Sequence, residues 1–252
     1  MNSVAISFFD ELDSTNNYVK NHVHELADGQ LVVAFKQTAG RGRRGREWVS
    51  PPDTNIYATM CIKQVHSTYL CGSIIALAAL ETLRFFCPEA DFYIKWPNDI
   101  YCGTAKVAGM LCDGCGIVNG KITAVAAGIG MNINFSEEDM KQIGQNAASL
   151  YSLCNRKFNL KKVAKRLAFC AKQCYIIYLK DSAALRRAWE KENALIGKRI
   201  GIVKPDGQTV YGIFESIRDD GALQLRTESG ITENFFAGDV SVSRESLGNI
   251  LN

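Results

Sequence analysis

The chain has 252 residues, of which 47% are hydrophobic and 22% are charged, and its 29 Lys and Arg exceed its 26 Asp and Glu to leave a net charge of +3. This composition excludes collagen-like and wholly disordered proteins, and the length allows one large domain with a small appendage. A net charge so close to zero does not by itself indicate nucleic-acid binding, so an anion site would need a local cluster of cations.

The sequence carries no clear signal for export or for membrane insertion. The N-terminal stretch has no basic flank and no room for a signal segment, and the nine cysteines are typical of free thiols in a reducing compartment. The longest apolar run, residues 74–83, contains Glu81 and is shorter than the ~20 apolar residues that a membrane helix needs. We therefore expect a cytoplasmic protein that does not interact with a membrane.

Hydrophobic periodicity predicts helices and strands in mixed order over the first part of the chain. A helix capped at residues 13–15 has apolar residues at helical spacing and is expected to run to Gly29. Further along the chain we expect strands at 31–35, 55–62, 92–95 and 122–127 and helices at 67–86, 160–180 and 182–193. Asn119-Gly120 between two β-rich runs favours a type I′ hairpin, because both turn positions need a positive φ.

After Gly197 the pattern changes to short β runs separated by turn residues. Asp206-Gly207, Asp220-Gly221 and Ser229-Gly230 recur at roughly ten-residue spacing, which indicates a small barrel or sandwich. We therefore place a domain boundary near residue 196, with domains at 1–196 and 197–252. Helices mixed with an antiparallel sheet make the fold class α+β.

A loop at residues 40–48, GRGRRGREW, concentrates positive charge on a flexible backbone. Its first seven residues contain four arginines and three glycines. The charges repel one another and the glycines raise the entropy cost of ordering, so we expect a mobile loop that folds over a polyanion. The arginine fork suits phosphate and carboxylate. A solvated basic loop or a nucleic-acid-binding tract is the alternative.

Three further segments carry polar residues into strands or turns. In KWPND, residues 95–99, we expect Asn98 and Asp99 in a turn, where Asp99 either binds a cation such as Mg²⁺ or forms a simple Asx turn. In KVAGML, residues 106–111, Lys106 is either a partly buried ammonium that needs an anion or a lysine that protects a strand edge. In GIGMNIN, residues 128–134, the glycines allow a ligand to approach the backbone.

Together and in this order, these four segments and the Asp13-Ser14-Thr15-Asn16 stretch resemble the biotin protein ligases over nearly the whole chain. Members of that family join biotin to ATP as biotinyl-5′-AMP with release of pyrophosphate, and then transfer the biotin to a lysine of a carboxyl-carrier domain. The resemblance implies a class II synthetase-like catalytic domain, an SH3-like C-terminal module, and ATP with Mg²⁺ as co-substrate and ion, without a tightly bound prosthetic group.

The resemblance also implies partners and exclusions. We expect biotin, ATP and a biotin carboxyl-carrier domain as partners, with a homodimer left open. The chain begins directly before the DSTN stretch at residues 13–16, which leaves no room for the N-terminal DNA-binding domain of the family's repressors. We therefore expect no DNA binding and no repressor function.

Each matching residue acquires a role from the resemblance. Catalysis is assigned to Lys106, near the biotin carboxylate and the α-phosphate, to Arg43, near the adenylate, and to Asp99, which is also the candidate Mg²⁺ ligand. Biotin is expected to contact Ser14, Thr15, Asn16, Gln37, Gly40, Arg41, Arg43, Lys106 and Gly109. ATP or the adenylate is expected to contact Arg41, Arg43, Arg44, Arg46, Trp48, Lys95, Asn98 and Asn132.

Two alternatives from different classes stay open beside this one. A lipoate–protein ligase would share the chemistry, but Ser14, Thr15 and Gln37 favour biotin, whose ring needs hydrogen bonds where the dithiolane of lipoate needs an apolar slot. A non-enzymatic nucleic-acid-binding module would use the arginine loop, yet no stacking aromatics alternate with the arginines.

Overall fold

The computed structural model describes residues 5–141, 143, 146–236 and 241–242, which form two sheets. The larger sheet contains β1 (Ile6–Phe9), β2 (Leu31–Ala34), β3 (Ile56–Ile62), β4 (Phe92–Lys95), β5 (Asp99–Cys102), β6 (Ala105–Val118) and β7 (Lys121–Met131). Its spatial order is β1-β2-β3-β7-β6-β5-β4, and every pair is antiparallel except β1 with β2. The long β6–β7 hairpin therefore lies at the centre of the sheet.

One face of this sheet is covered by helices. The helices of the chain are α1 (Thr15–Asn21), α2 (Thr68–Phe86), α3 (Glu137–Lys141), α4 (Leu150–Cys154), α5 (Leu160–Lys180) and α6 (Ser182–Lys191). Helix α2 packs on β6 and β7, and α5 and α6 pack on α2 from outside. By length and composition alone α2 could cross a membrane, contrary to the sequence expectation, but 67% of its apolar stretch is buried inside the fold. It is the central core helix.

The opposite face of the sheet is covered only in part. Helix α1 packs Val19 against Val32, Cys61 and Ala126 in a small second core. Because α1 has seven residues, it shields only part of this face, where it contacts β2, β3, the first half of β7 and the paired end of β6. The rest of the face, over the C-terminal half of β7 and the start of β6, is open to a cavity.

The sequence predicted most of these elements and misjudged the end of α1. The helix stops at Asn21 instead of running to Gly29, and turns follow in which the Leu26 amide donates to the His22 carbonyl at 3.1 Å. Val23 and Leu26 are nevertheless buried, so the apolar spacing correctly indicated which residues are buried but not where the helix ends. The predicted hairpin is confirmed, with a positive φ at both turn positions, 51° at Asn119 and 73° at Gly120.

The second sheet is antiparallel and begins after α6. It contains β8 (Arg199–Val203), β9 (Thr209–Ile217), β10 (Leu223–Thr227), β11 (Thr232–Phe235) and β12 (Ser241–Val242), in the order β11-β10-β9-β8-β12. The α+β class predicted from the sequence is confirmed. Phe214 of β9 is buried against Trp96, with the two ring centroids 6.4 Å apart, and this contact joins the two sheets. The exact division of the chain at residue 196 stays a prediction.

Candidate active site

A cavity of about 990 Å³ lies over the open face of the larger sheet. Most of the residues singled out from the sequence line it: Ser14, Thr15, Asn16, Gln37, Arg41, Arg43, Arg44, Arg46, Trp48, Lys95, Asn98, Asp99, Lys106 and Gly109. Gly40 and Asn132, also singled out, are not on its wall. Segments that are far apart in the sequence thus meet at one place.

Glycines form the floor of the cavity. Gly128 and Gly130 lie on β7 and Gly109 is paired with Gly130 across the β6–β7 ladder, so all three present the same face. A Cβ at Gly130 would overlap the Trp48 indole, and one at Gly109 would lie 2.8 Å from it. The sequence predicted a strand that ends at Ala127, with Gly128 and Gly130 after it. In the structure the strand continues to Met131, so both glycines lie within β7.

The arginine loop crosses the cavity as a short hairpin. Arg41 and Glu47 form a β-bridge, and residues 43–45 form a 3-10 turn in which Arg44 is left-handed at φ 57°. The Trp48 amide donates to the Gly40 carbonyl at 3.0 Å and closes the base of the loop. The Trp48 ring therefore lies between the loop and the glycine floor.

The centre of the cavity holds an ion pair and a buried guanidinium. Lys106 Nζ lies 2.7 Å from Asp99 Oδ1 and 5.1 Å from the centre of the Trp48 ring. Arg43 Nη1 donates to Asn98 Oδ1 at 3.0 Å, while Nη2 is buried without a hydrogen-bond partner among the described residues. Asp99 is the first residue of β5, and the predicted turn covers only residues 96–98.

Backbone contacts fix the position of Lys106. Its amide donates to the Asn146 carbonyl at 3.0 Å, and its carbonyl accepts from the Ala148 amide at 2.9 Å. The Asn132 side chain is buried beside them and donates to the Ala148 carbonyl at 3.1 Å. Asn132 thus supports the segment that holds Lys106, whereas the sequence assigned it a direct contact with nucleotide.

The cavity wall is strongly cationic. Two of the described lining residues are acidic, Glu47 and Asp99, against seven cations, which are Arg41, Arg43, Arg44, Arg46, Lys95, Lys106 and Lys141. Burial is the main cause that lowers the pKa of Arg43 and of Lys95, and Asp99 opposes it in part. A lowered pKa means that the charged form is penalised by lost hydration, and an anionic ligand would relieve that penalty.

Binding of a nucleoside triphosphate should therefore be accompanied by proton uptake at alkaline pH. The pKa of Lys95 is held below its ordinary 10.5 in the free protein, and an anion beside it raises that pKa. Between the two values the free lysine is partly neutral and the bound lysine is charged. Calorimetric titration with ATP in buffers of different ionisation enthalpy should show uptake in that window, and the uptake by Lys95 should disappear once the pH lies well below its pKa in the free protein. Uptake that persists in Lys95→Met would assign the proton elsewhere.

The end of the cavity beside α1 is lined by neutral hydrogen-bonding groups. The Thr15 amide donates to Gln37 Oε1 at 2.8 Å, and Thr59 Oγ1 lies 2.8 Å from Thr15 Oγ1 and 2.7 Å from Asn16 Oδ1. Ser14 occupies the N-cap position of α1 without a capping side-chain bond. This end suits a small polar ring that offers both donors and acceptors.

Sequence reasoning missed two residues of the cavity wall, Asn146 and Val203, and two that support it from behind, Thr59 and Asp113. Thr59 is in β3, where all seven positions are buried and no alternation marks the site face. Asp113 and Asn146 are isolated polar residues without a motif. Val203, which lines the cavity from β8, comes from the second sheet. A signal existed only for Asp113, a carboxylate two residues beyond the KVAGML segment in a strand pattern, which places it on the face of Gly109.

The predicted Mg²⁺ site at Asp99 does not fit this arrangement. The Asp99 carboxylate faces the Lys106 ammonium and is surrounded by cations. Among the described residues no group of three or more His, Cys, Asp or Glu side chains could hold a metal ion. Mg²⁺ is usually held by one or two carboxylates together with substrate phosphates, and the Asp99 carboxylate is already paired with the Lys106 ammonium, so no step is assigned to a metal held by this chain.

Comparisons with known proteins identify relatives over most of the chain. The model of the biotin/lipoate A/B protein ligase family matches residues 8–132, and that of the biotin protein ligase C-terminal domain matches residues 195–243. A biotin–[acetyl-CoA-carboxylase] ligase of Paracoccus denitrificans is 33% identical and covers 90% of this chain and 98% of its own. The bifunctional ligase/repressor BirA of Escherichia coli (strain K12) is 28% identical and covers 94% of this chain and 74% of its own.

Solved structures are similar to this fold across both sheets. The biotin protein ligase from Aquifex aeolicus, solved in complex with biotin and ATP, aligns with a TM-score of 0.78 at 23% identity and covers 95% of this chain and 99% of its own. The biotin protein ligase from Leishmania major, solved with biotinyl-5-AMP, aligns with a TM-score of 0.54 at 22% identity and covers 92% and 99%.

Proposed function

The chain belongs to the biotin protein ligases, and on that premise we propose that it joins biotin to ATP as biotinyl-5′-AMP, releases pyrophosphate, and transfers the biotin to one lysine of a carboxyl-carrier domain. One observation carries this proposal: the Lys106 ammonium stands over a glycine floor, between a hydrogen-bonding end and an arginine-rich wall. Residues 1–196 are proposed as the catalytic domain and 197–252 as a separate C-terminal domain.

The first step brings anions together. A carboxylate oxygen of biotin attacks the α-phosphorus of ATP, a new oxygen–phosphorus bond forms, and the bond to the bridging oxygen breaks as pyrophosphate leaves. Preorganised cations stabilise the charge that develops in such a transition state. Lys106 is placed for this by its backbone bonds and by Asp99. Arg43 supplies the second charge, and its unpaired Nη2 is the donor left for the ligand.

The second step forms an amide. The amine nitrogen of the acceptor lysine attacks the acyl carbon of the adenylate, the bond from that carbon to the phosphate oxygen breaks as AMP leaves, and the nitrogen releases its proton to solvent. Water competes with the amine for the same carbon, so the intermediate has to be covered until the carrier arrives. The arginine loop and the Trp48 ring provide that cover over the glycine floor.

The choice of biotin over lipoate rests on the polar end of the cavity. Thr15, Asn16 and Gln37 line that end with amide and hydroxyl groups, and the buried Thr59 hydroxyl holds two of them from behind. A dithiolane ring could form no hydrogen bonds with these groups, whereas the ring of biotin offers both donors and acceptors to them. The match of the C-terminal domain to a biotin protein ligase module also supports biotin.

Pyrophosphate release with Mg-ATP tests the proposal directly, with biotin and lipoate compared, followed by the mass of an added biotin carboxyl-carrier domain. We expect release with biotin alone and a mass increase of one biotin on the carrier. Release with lipoate alone would keep the adenylation chemistry and replace the substrate. No release with either would leave the arginine loop to the nucleic-acid alternative, which steep salt dependence of oligonucleotide binding would support.

Arg43→Gly should weaken retention of the adenylate. The substitution removes the guanidinium that reaches Asn98 across the cavity and loosens the loop, so biotinyl-5′-AMP should be released into solution. Filtration after a single turnover should find about tenfold more free adenylate than with the unmodified chain. Arg156→Gly, an exposed loop arginine outside the cavity, is the matched control. Retention equal to the unmodified chain would contradict the proposed role of Arg43.

A further inference from the structure

Asp113 of β6 gathers three polar side chains at the edge of the cavity. Its Oδ2 accepts from Arg41 Nη2 at 3.0 Å and from Asn16 Nδ2 at 3.3 Å, and Lys20 Nζ lies 3.9 Å away. Arg41 Nη2 also donates to Asn17 Oδ1 at 2.9 Å. One carboxylate oxygen therefore joins the arginine loop, α1 and the central strand β6.

This network changes the role of Arg41. The family resemblance assigned its side chain to biotin and nucleotide, but the guanidinium is held by Asp113 and Asn17, both outside the cationic centre. Arg43, two residues later, instead reaches the turn at Asn98. The loop is thus attached at its start to the hydrogen-bonding end of the cavity and extends from there toward Asn98.

The same carboxylate also orients Asn16. With its amide nitrogen directed to Asp113 and the Leu111 carbonyl, Asn16 presents its oxygen to Thr59 Oγ1 at 2.7 Å. Asn16 is only 5% exposed, so few other orientations are open to it. Charge-assisted bonds at a half-buried site are stronger than exposed ion pairs, and the Asp113 side chain is 23% exposed.

We propose that Asp113 is a positioning residue that anchors the start of the arginine loop and sets the orientation of Asn16, and that it acts on the biotin side of the reaction and not on the nucleotide side. The inference rests on the proposed function. Opening of the loop would then be a movement of residues 42–47 about Arg41, which stays attached to α1 and β6.

Asp113→Asn tests the inference because it keeps the shape and removes the charge. We expect the KM for biotin to rise about tenfold, the size of effect expected from one charge-assisted hydrogen bond. The KM for ATP and kcat should change less than the KM for biotin, because Arg43 keeps its own bond to Asn98 and Lys106 keeps its ion pair. Hydrogen exchange of residues 41–46 in the protein without substrates should become faster. Glu228→Gln, which breaks the Arg199–Glu228 pair in the second sheet, is the matched control.

A double variant separates anchoring from a direct contact of Arg41 with ligand. If Arg41 acts through Asp113, Arg41→Ala with Asp113→Asn should raise the KM for biotin no further than either single change. Additive effects, a KM for ATP that rises as much as that for biotin, or unchanged loop exchange in Asp113→Asn would each overturn the inference. The exchange measurement needs no turnover, so an inactive parent chain would refute the proposed function without deciding the role of Asp113.

Discussion

Lys106→Ala should lower biotin-dependent pyrophosphate release by about 10²–10³-fold, the range seen when one preorganised charge is removed from an active site. The ammonium is held by Asp99, and hydrogen bonds of the Lys106 amide and carbonyl fix the backbone that carries it. No other cation can therefore take its place without rearrangement. Unfolding free energy should fall by only about 1–2 kcal/mol, because Lys95 and Arg43 still face the Asp99 carboxylate.

The rate of pyrophosphate release and the thermal unfolding of the same samples would separate a loss of catalysis from a loss of stability. Lys121→Ala, at the exposed start of β7 and outside the cavity, should leave both quantities unchanged. A Lys106→Ala protein that stays folded and releases pyrophosphate at a rate near that of the unmodified chain would remove Lys106 from the mechanism.

Gly130→Ala should displace the Trp48 ring and abolish most of the activity while β7 stays paired. A methyl group at this position overlaps the indole, and the strand backbone cannot move because β3 and β6 bond it on both sides. Since the Trp48 amide closes the base of the arginine loop, the loop should open with the ring. We expect adenylate retention to fall at least tenfold, which corresponds to about 1.4 kcal/mol of lost binding free energy. The tryptophan emission should shift to longer wavelength and become more accessible to a quencher.

Gly114→Ala is the matched control on the neighbouring strand. A Cβ there approaches only the end of the flexible Ile122 side chain, at 2.9 Å, so the change should be accommodated. Trp48→Leu should lower adenylate retention by itself and add little in the Gly130→Ala background, because the ring is already displaced there. Full additivity of the two changes would show that they act at separate places.

The sequence predicted the class of fold and most of the cavity for a definable reason. KWPND places charged residues at a strand end and GRGRRGREW places charged residues and glycines in a long loop. At such positions function explains these residue types better than packing does. The Asn119-Gly120 turn is similarly local, because its two dihedral angles depend on the residues themselves. These features need no knowledge of the tertiary contacts.

Features that depend on tertiary contacts were missed or misplaced. Thr59 looks like any other position of a fully buried strand until Thr15 and Asn16 are brought to it. Asn132 resembles a ligand-binding residue in the sequence, yet its side chain turns toward a backbone carbonyl contributed by residue 148. Asp99 was predicted as a metal ligand because a lysine seven residues away in the sequence could not be known to lie 2.7 Å from it.

The alternation along β7 has an evolutionary consequence. Val125, Ala127, Ile129 and Met131 face the helices, whereas Gly128 and Gly130 face the cavity. Selection for folding and selection for chemistry therefore act on different residues of a single strand. Random mutagenesis of residues 127–131 should yield two separable classes of defect, unstable proteins and stable but inactive ones, in alternation along the strand. Substitutions at the cavity-facing positions could therefore change which ligand the cavity binds while the buried residues that stabilise the fold stay the same.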